Sequence, residues 1–530
     1  MNKIGRWLLW AAAAAFLLGL LPTLNNAFSE FFTLTEEGFG VTQSFVQAVE
    51  SVTAFVRNYM WHMVILYAVV IAFIIFLEGQ NPDRTMLWLL VLIFVPVFGV
   101  FLYLLLGPDF QGLRNRRLFR AAKKNYEFDR SPFRKGNENQ ILIGRLLHAC
   151  CGADLLLKNK IDLLINGEET FPAMEAAIAG AEKFIHAEFF IFRDDELGRR
   201  FGDALAAAAR RGVKVRLLYD AVGSWGLKAK FVKELEEAGV ECRSFMPVCL
   251  PLFHRQMNFR NHRKILVIDR KAAFTGGLNV GVEYEGRGPL GFWRDTFVRL
   301  EGEAVPALHK IFIDDWCTRA KNDHVRVCED SGETRGGLPV TDDYSALPTL
   351  PMQVVESGAD SVWRAIANGY YGMISRAQSR VWVTSPYLVP GPALMNALMT
   401  AALSGVDVRV MIPSKRDHFL VFWGSRSNIA PLLRAGARVF TYQRGFIHTK
   451  SVVADGRISS VGTCNMDVRS LEINFETQLF IYDAETARKF ELQFEKDMKD
   501  CSELRADEWE KRPFYQKLLE SFGRLYSAQI

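Results

Sequence analysis

With 530 residues, the chain is long enough for two domains or for one domain duplicated. Its formal net charge of +5 excludes a bulk polycation, so local charge clusters carry more meaning than the total. A hydrophobic fraction of 49% is high for a purely soluble protein, and the excess is concentrated near the N-terminus. The 8 cysteines include no C-x-x-C pair of the zinc type and no disulfide framework. A reducing compartment fits, with the adjacent Cys150 and Cys151 as plain thiols.

Three apolar segments come first. Trp7–Leu24 follows Lys3 and Arg6, Met60–Leu77 is interrupted only by His62, and Met86–Leu106 carries no charge. A helix crosses the hydrocarbon core with about 20 apolar residues, which the third segment meets and the first two approach. Asn25-Asn26-Ala27 is a poor cleavage site, so the first segment reads as a retained anchor rather than a signal peptide. The polar turn Glu78–Arg84 joins the second and third segments into a helical hairpin. The basic run Arg114, Arg116, Arg117, Arg120, Lys123 and Lys124 favours the cytoplasmic face and anionic lipid. Three full crossings from an inside N-terminus would put that run outside. Either one segment does not cross, as Pro96 and Gly99 allow for the third, or the N-terminus is outside. The reading adopted places the remainder of the chain in the cytoplasm.

Beyond about residue 150, strands alternate with helices. Phe184–Phe192 is strand-like, an Ala-rich helix follows, and Gly212–Tyr219 is the next strand. The same order returns later: Arg380–Pro386 strand-like, Ala393–Leu403 helical, Gly405–Ile412 the next strand. The string GV-x-VR occurs in both stretches, which marks an internal repeat. Cys328–Pro351, rich in Gly, Asp, Thr and Pro, reads as the link. Near the C-terminus Phe514, Leu518, Phe522 and Leu525 recur at helical spacing beside Lys517 and Arg524. Such a helix lies on a bilayer or packs on the domain.

Each repeat carries the same reactive pattern. His262-Arg-Lys264 … Asp269 reads H-x-K-x(4)-D, and His448-Thr-Lys450 … Asp455 repeats it. Both copies run on to a small-residue turn ending in asparagine, Gly276–Asn279 and Gly462–Asn465. One H-x-K is more often an ordinary strand than a catalyst; the whole pattern found twice is specific. In a strand, residues i and i+2 share a face, so His262 with Lys264, and His448 with Lys450, point the same way. Meeting about a pseudo-two-fold axis, they would line one cleft suited to a phosphate diester. One neutral imidazole attacks phosphorus and the other, protonated, gives its proton to the leaving alcohol. The lysines, with Asn279 and Asn465, hold the non-bridging oxygens. No metal is needed, and no phosphate-binding G-x(4)-G-K-[ST] loop or dinucleotide fingerprint is present. The rate should peak between two apparent pKa values that belong to the imidazole pair.

Asp269 and Asp455 lie an odd number of positions from their histidines and are expected to brace the motif loops. Asp295 and Glu472 are the candidates for orienting the imidazoles, and Arg255, Arg260 and Arg263 for holding an anionic headgroup. Cys464, inside the second motif, is a candidate for reaction with thiol reagents.

The duplicated motif resembles the phospholipase D superfamily. Within it, Asn81–Trp88, Asn258–Lys264, Trp293-Arg294-Asp295 and Asn465–Glu476 are similar to bacterial cardiolipin synthases. The resemblance implies an α/β fold of two phospholipase D-like half-domains, mixed sheets flanked by helices, after N-terminal transmembrane helices. The order expected is an anchor over 1–58, a transmembrane hairpin over 59–107, a basic juxtamembrane linker over 108–150 and half-domain 1 over 151–330. A linker over 331–352, half-domain 2 over 353–510 and an amphipathic helix over 511–530 complete it. The resemblance also implies catalysis by His262, Lys264, Asp269, His448, Lys450 and Asp455, with His262 as nucleophile and His448 as general acid, then base. Two phosphatidylglycerols would become cardiolipin and glycerol through a phosphohistidine, with no cofactor. Partners would be phosphatidylglycerol, other anionic phospholipids and the bacterial inner membrane, spanned more than once, and no nucleic acid. Self-association and phosphatidylethanolamine as a substrate stay open. The alternative is a hydrolytic phospholipase D releasing phosphatidic acid.

Overall fold

The computed structural model describes residues 138–246, 259–317 and 343–526, with the helix Pro82–Phe94 and a few separate positions before residue 100. Contacts divide the chain into two compact units, Met1–Lys123 with Cys249–Arg255, and Lys124–Val248 with Gln256–Ile530.

In the first unit, Pro82 opens its helix, where a missing N–H costs nothing. The helix therefore starts inside the stretch expected to be the hairpin turn. Among the described residues no helix is long and apolar enough to cross a membrane. The segment Trp7–Leu24, the basic run from Arg114 to Lys124, and Arg255 lie outside the described residues.

The second unit contains both repeats. The first contributes β1 (Leu156–Ile165), β2 (Phe184–Phe189), β3 (Lys214–Asp220), β4 (Glu241–Phe245), β5 (Ile265–Ile268), β6 (Ala272–Gly276), β7 (Phe292–Arg294) and β8 (Thr296–Gly302). The second contributes β9 (Thr349–Ser357), β10 (Arg380–Thr384), β11 (Leu388–Val389), β12 (Asp407–Pro413), β13 (Arg438–Tyr442) and β14 (Gly445–Ile447). It continues with β15 (Ser451–Ala454), β16 (Ile458–Gly462), β17 (Met466–Asp467), β18 (Glu476–Ile481) and β19 (Cys501–Leu504). Fifteen of these form one sheet in the order β19-β13-β12-β10-β15-β16-β18-β9-β1-β8-β6-β5-β2-β3-β4. Read outward from the β9–β1 pair, the two sides match strand for strand until β19. β2–β3 and β10–β12 are parallel; β2–β5 and β10–β15 are antiparallel. This is the pseudo-two-fold repeat.

Helices cover the sheet because their apolar faces need it. Glu196–Arg210, capped by Asp195 accepting from the Gly198 amide at 2.9 Å, buries Leu197, Phe201 and Leu205 in the core of the first half. Ala484–Met498 starts the same way on Asp483. A shared cluster containing Ile161, Val298, Leu300, Met352, Val354, Val461 and Leu479 draws on strands of both halves. The halves are thus one packed body.

The boundaries differ from expectation at two places. Glu138–Cys151, the end of the supposed basic linker, is a helix whose Ile143 and Leu147 are buried in the core of the second half. Gln140 donates to the carbonyl of Arg457 at 2.9 Å, and Gln353 to that of Gly144 at 3.1 Å. The helix Glu138–Cys151 thus belongs to the second half although it precedes the strands of the first in sequence. The linker ends early too, since β9 begins at Thr349.

Candidate active site

Neither H-x-K lies within a strand. His262–Lys264 is an extended segment just ahead of β5, and His448–Lys450 one just ahead of β15. Each is tied to the opposite half instead. The His262 amide donates to the Phe475 carbonyl at 2.9 Å, and Phe475 donates back to Arg260 at 2.9 Å. The His448 amide donates to the Arg294 carbonyl at 2.7 Å, next to the parallel pairing of β14 with β7. In both cases the residue directly after the accepting carbonyl supplies a carboxylate for the histidine's ring.

For His448 that carboxylate is Asp295, 2.8 Å from Nδ1. For His262 it is Glu476, whose two oxygens lie 2.9 and 3.0 Å from Nδ1. Glu472, expected in this role, pairs instead with Arg364 at 3.1 Å. It belongs to the short helix Val468–Glu472, whereas Glu476 opens β18 as Asp295 immediately precedes β8. The signal was in the sequence: Trp-Arg-Asp295 and Asn-Phe-Glu476 each precede an apolar β-run. A carboxylate only accepts, so each Nδ1 carries the proton and each Nε2 of a neutral ring offers its lone pair.

The lysines repeat the symmetry. Lys264 Nζ donates to the His262 carbonyl at 2.6 Å and Lys450 Nζ to the His448 carbonyl at 2.5 Å. Both are buried. Phe190 lies edge-on to the His262 ring at 5.0 Å, and Trp293 lies 5.2 Å from the His448 ring. In this apolar setting burial pulls both imidazoles down to about 4, the lysines adding to the pull while Glu476 and Asp295 oppose it. Burial also lowers Lys450 to about 8, and Lys264 in the same direction. Burial would raise Glu476, but the His262 ring and Lys264 bring it below its ordinary value. Each imidazole feels the other half's lysine, so the four groups act as one site.

The remaining expected residues separate by what they touch. Asp269 accepts from the backbone amides of Glu182, Lys183 and Phe184, each at 2.8 Å. Asp455 does the same for Gln378, Ser379 and Arg380. Both sit at positive φ, 52° and 54°, in the turn after their strand, so they clamp the starts of β2 and β10 rather than face a substrate. Asn279 is spent within the fold: Oδ1 accepts from Ile191 at 3.0 Å and Nδ2 donates to Tyr284 at 2.9 Å. Asn465 Oδ1 is buried with no partner among the described residues. Arg260 pairs with Asp220 at 3.3 Å. Arg263 is buried on Asp315 at 2.6 Å and Glu356 at 3.1 Å, so it supports the motif from beneath rather than holding a headgroup. Its neighbour Asn261 hydrogen-bonds Glu188 and, at 3.2 Å, Asp315, a buried polar base that sequence reasoning missed. Cys464 is buried, and burial raises its thiol well above the ordinary range, which disfavours the expected thiol chemistry.

A duplicated fold with a histidine, a lysine and a carboxylate from each half is the arrangement of the phospholipase D-like proteins. A family profile described as "Cardiolipin synthase, PLD-like domain" matches residues 174–284 and 370–498, and one described as "Phospholipase D-nuclease N-terminal" matches 65–108. The chain is 38% identical to cardiolipin synthase 2 of Bacillus anthracis, covering 87% of this chain and 90% of that one. It is 40% identical to the cardiolipin synthase of Geobacillus kaustophilus (87% and 91%) and 39% to the major cardiolipin synthase of Bacillus subtilis (90% and 99%). The crystal structure of phosphatidylserine synthase from Haemophilus influenzae shares the fold, with a TM-score of 0.57 at 15% identity over 74% of this chain and 100% of that one. This chain belongs to the bacterial cardiolipin synthase family of the phospholipase D superfamily.

Proposed function

We propose that this enzyme joins two phosphatidylglycerols into cardiolipin and releases glycerol. The observation that carries the reading is the pair of cross-bonded imidazoles, each with Nδ1 on a buried carboxylate and a buried lysine behind it, in a chain whose relatives are named cardiolipin synthases. His262 Nε2 attacks phosphorus, the bond to the glycerol oxygen breaks, and His448 gives that oxygen its proton. The second lipid's primary hydroxyl then gives its proton to His448 and attacks phosphorus, breaking the P–N bond. Lys264 and Lys450 balance the charge on the phosphoryl oxygens.

Before substrate binds, both rings favour the neutral form at pH 7. The anionic diester supplies the charge that lifts one of them, so the general acid gains its proton as substrate arrives. The apolar N-terminal segments would anchor the enzyme to the bacterial inner membrane by more than one span, with the catalytic unit in the cytoplasm.

The test is a product assay. Purified protein in liposomes receives labelled phosphatidylglycerol with EDTA and without nucleotide. Cardiolipin plus glycerol, lost in His262→Ala, is the expected result. Phosphatidic acid as the main product would make water the acceptor and overturn the synthase reading.

A further inference from the structure

The C-terminal helix Phe514–Tyr526 has two unlike faces. Inward, Gly523 packs on Trp423 and Gly424 of the helix Phe419–Ser427 with no room for a Cβ. Glu520, the one acidic residue of the helix, is only 3% exposed and is held by Arg512 at 2.6 Å and Arg426 at 3.4 Å. Outward, Phe514 is 79%, Leu518 60% and Leu525 74% exposed, with Phe522 beside them. Lys517 and Arg524 are exposed on the same helix. Large apolar side chains in a stripe are costly in water, and here cations flank the stripe while the sole acid is withdrawn from it.

The platform under this helix is bonded to the catalytic loop. Ser425 Oγ accepts from the Leu388 amide at 2.9 Å, and β11 pairs with β17 directly after Asn465. Topology places it at the same sheet edge as the imidazoles. Helix Phe419–Ser427 follows the C-terminal end of β12, which runs parallel to β10. Thr384, the last residue of β10, pairs with Ser451, so His448 lies just beyond that end. In the first half Glu188 pairs with Ile265, which puts His262 beyond the end of β2. The matching loop after β3 holds Trp225, 78% exposed.

We infer that this sheet edge is a bilayer-docking face. Helix Phe514–Tyr526 lies in the interface of an anionic membrane. Phe514, Leu518, Phe522 and Leu525 enter the acyl boundary, Lys517 and Arg524 meet the lipid phosphates, and Trp225 touches the same surface across the cleft. The inference goes beyond the proposed reaction and does not require it.

The full chain is reconstituted in phosphatidylglycerol–phosphatidylcholine vesicles with a nitroxide on Leu518→Cys or, as the reference, Glu237→Cys. Glu237 ends the helix Ala229–Glu237, at the opposite sheet edge. Labelled unsubstituted protein is the blank for native thiols. Collisions with dissolved oxygen and with a nickel chelate are measured. The expected result is that the label at 518 meets oxygen at least about threefold more readily than nickel, relative to 237. Lys517→Glu with Arg524→Glu reverses this, as does omission of phosphatidylglycerol. A label at 518 as open to nickel as that at 237 would place the helix in water. A label shielded from both reagents would mean that another protein surface covers it. Either outcome overturns the inference, and neither bears on turnover.

Discussion

Each imidazole in this site has one nitrogen committed to a carboxylate, and that commitment sets its chemistry. Asp295→Asn and Glu476→Gln keep the shape but no longer favour the Nδ1–H tautomer or a developing positive charge. Each is expected to lower kcat by on the order of 10²-fold or more with little change in folding, while Glu472→Gln stays near wild type. Steady-state kinetics on the three variants checks this; equal losses in all three would contradict the assignment. The choice between Glu472 and Glu476 turned on where β18 begins: the two glutamates stand four residues apart in Leu-Glu-Ile-Asn-Phe-Glu, and only Glu476 opens the apolar β-run as Asp295 does. Asn279 and Arg263 were misread for a related reason. A motif shows which residue types cluster, but not which hydrogen bonds the fold has already taken up. Lys450, held to about 8 by burial, is charged below that pH and neutral above it. The rate should therefore fall as pH rises through about 8, and Lys450→Arg should move the fall upward. A pH profile of kcat/KM that is flat to pH 10 would contradict a charged lysine at the phosphoryl group.

At the scale of elements, the motif aspartates act as clamps. Asp269→Ala leaves three backbone amides without an acceptor at the start of β2 and should cost about 3 kcal/mol of stability. Chemical denaturation should show this loss, with residual activity per folded molecule largely kept; loss of activity at unchanged stability would return Asp269 to the catalytic set. β2, β3, β10 and β12 were legible because GV-x-VR recurs with the same flanking strand–helix order in both repeats, whereas the pairing order in the sheet was not. The helix Glu138–Cys151 was not. Its apolar positions Ile143 and Leu147 have helical spacing, but nothing local tells that their partner lies in the second half, some 200 residues away in sequence.

For the whole molecule, crossing contacts make the halves one cooperative unit with buried titratable groups at its centre. His262 and His448 sit at about 4 in the fold and at about 6.5 in an unfolded chain. Above pH 6.5 neither state is protonated at these rings and no stability is lost. As pH falls from 6.5 toward 4 the unfolded chain takes up protons that the fold refuses, and stability drops by about 1.4 kcal/mol per ring per pH unit. Asp467, raised by burial to about 6, and Glu188, raised by burial and Asp315, slope the other way. The difference between wild type and His262→Asn/His448→Asn isolates the rings. It should grow against the wild type between pH 6.5 and 5, measured by denaturation midpoint, and a constant difference would contradict neutral imidazoles in the fold.

The most direct measurement traps the covalent intermediate. In His448→Ala, a phosphatidyl substrate with an activated phenolate leaving group needs no acid for the first step, but the base for the second step is gone. Labelled phosphatidyl should then accumulate on the protein, stable to base, labile to acid and located on His262 by peptide mapping. His262→Ala should take up none. Label on His448 in that variant would reverse the roles, and label in neither would contradict a phosphohistidine path altogether.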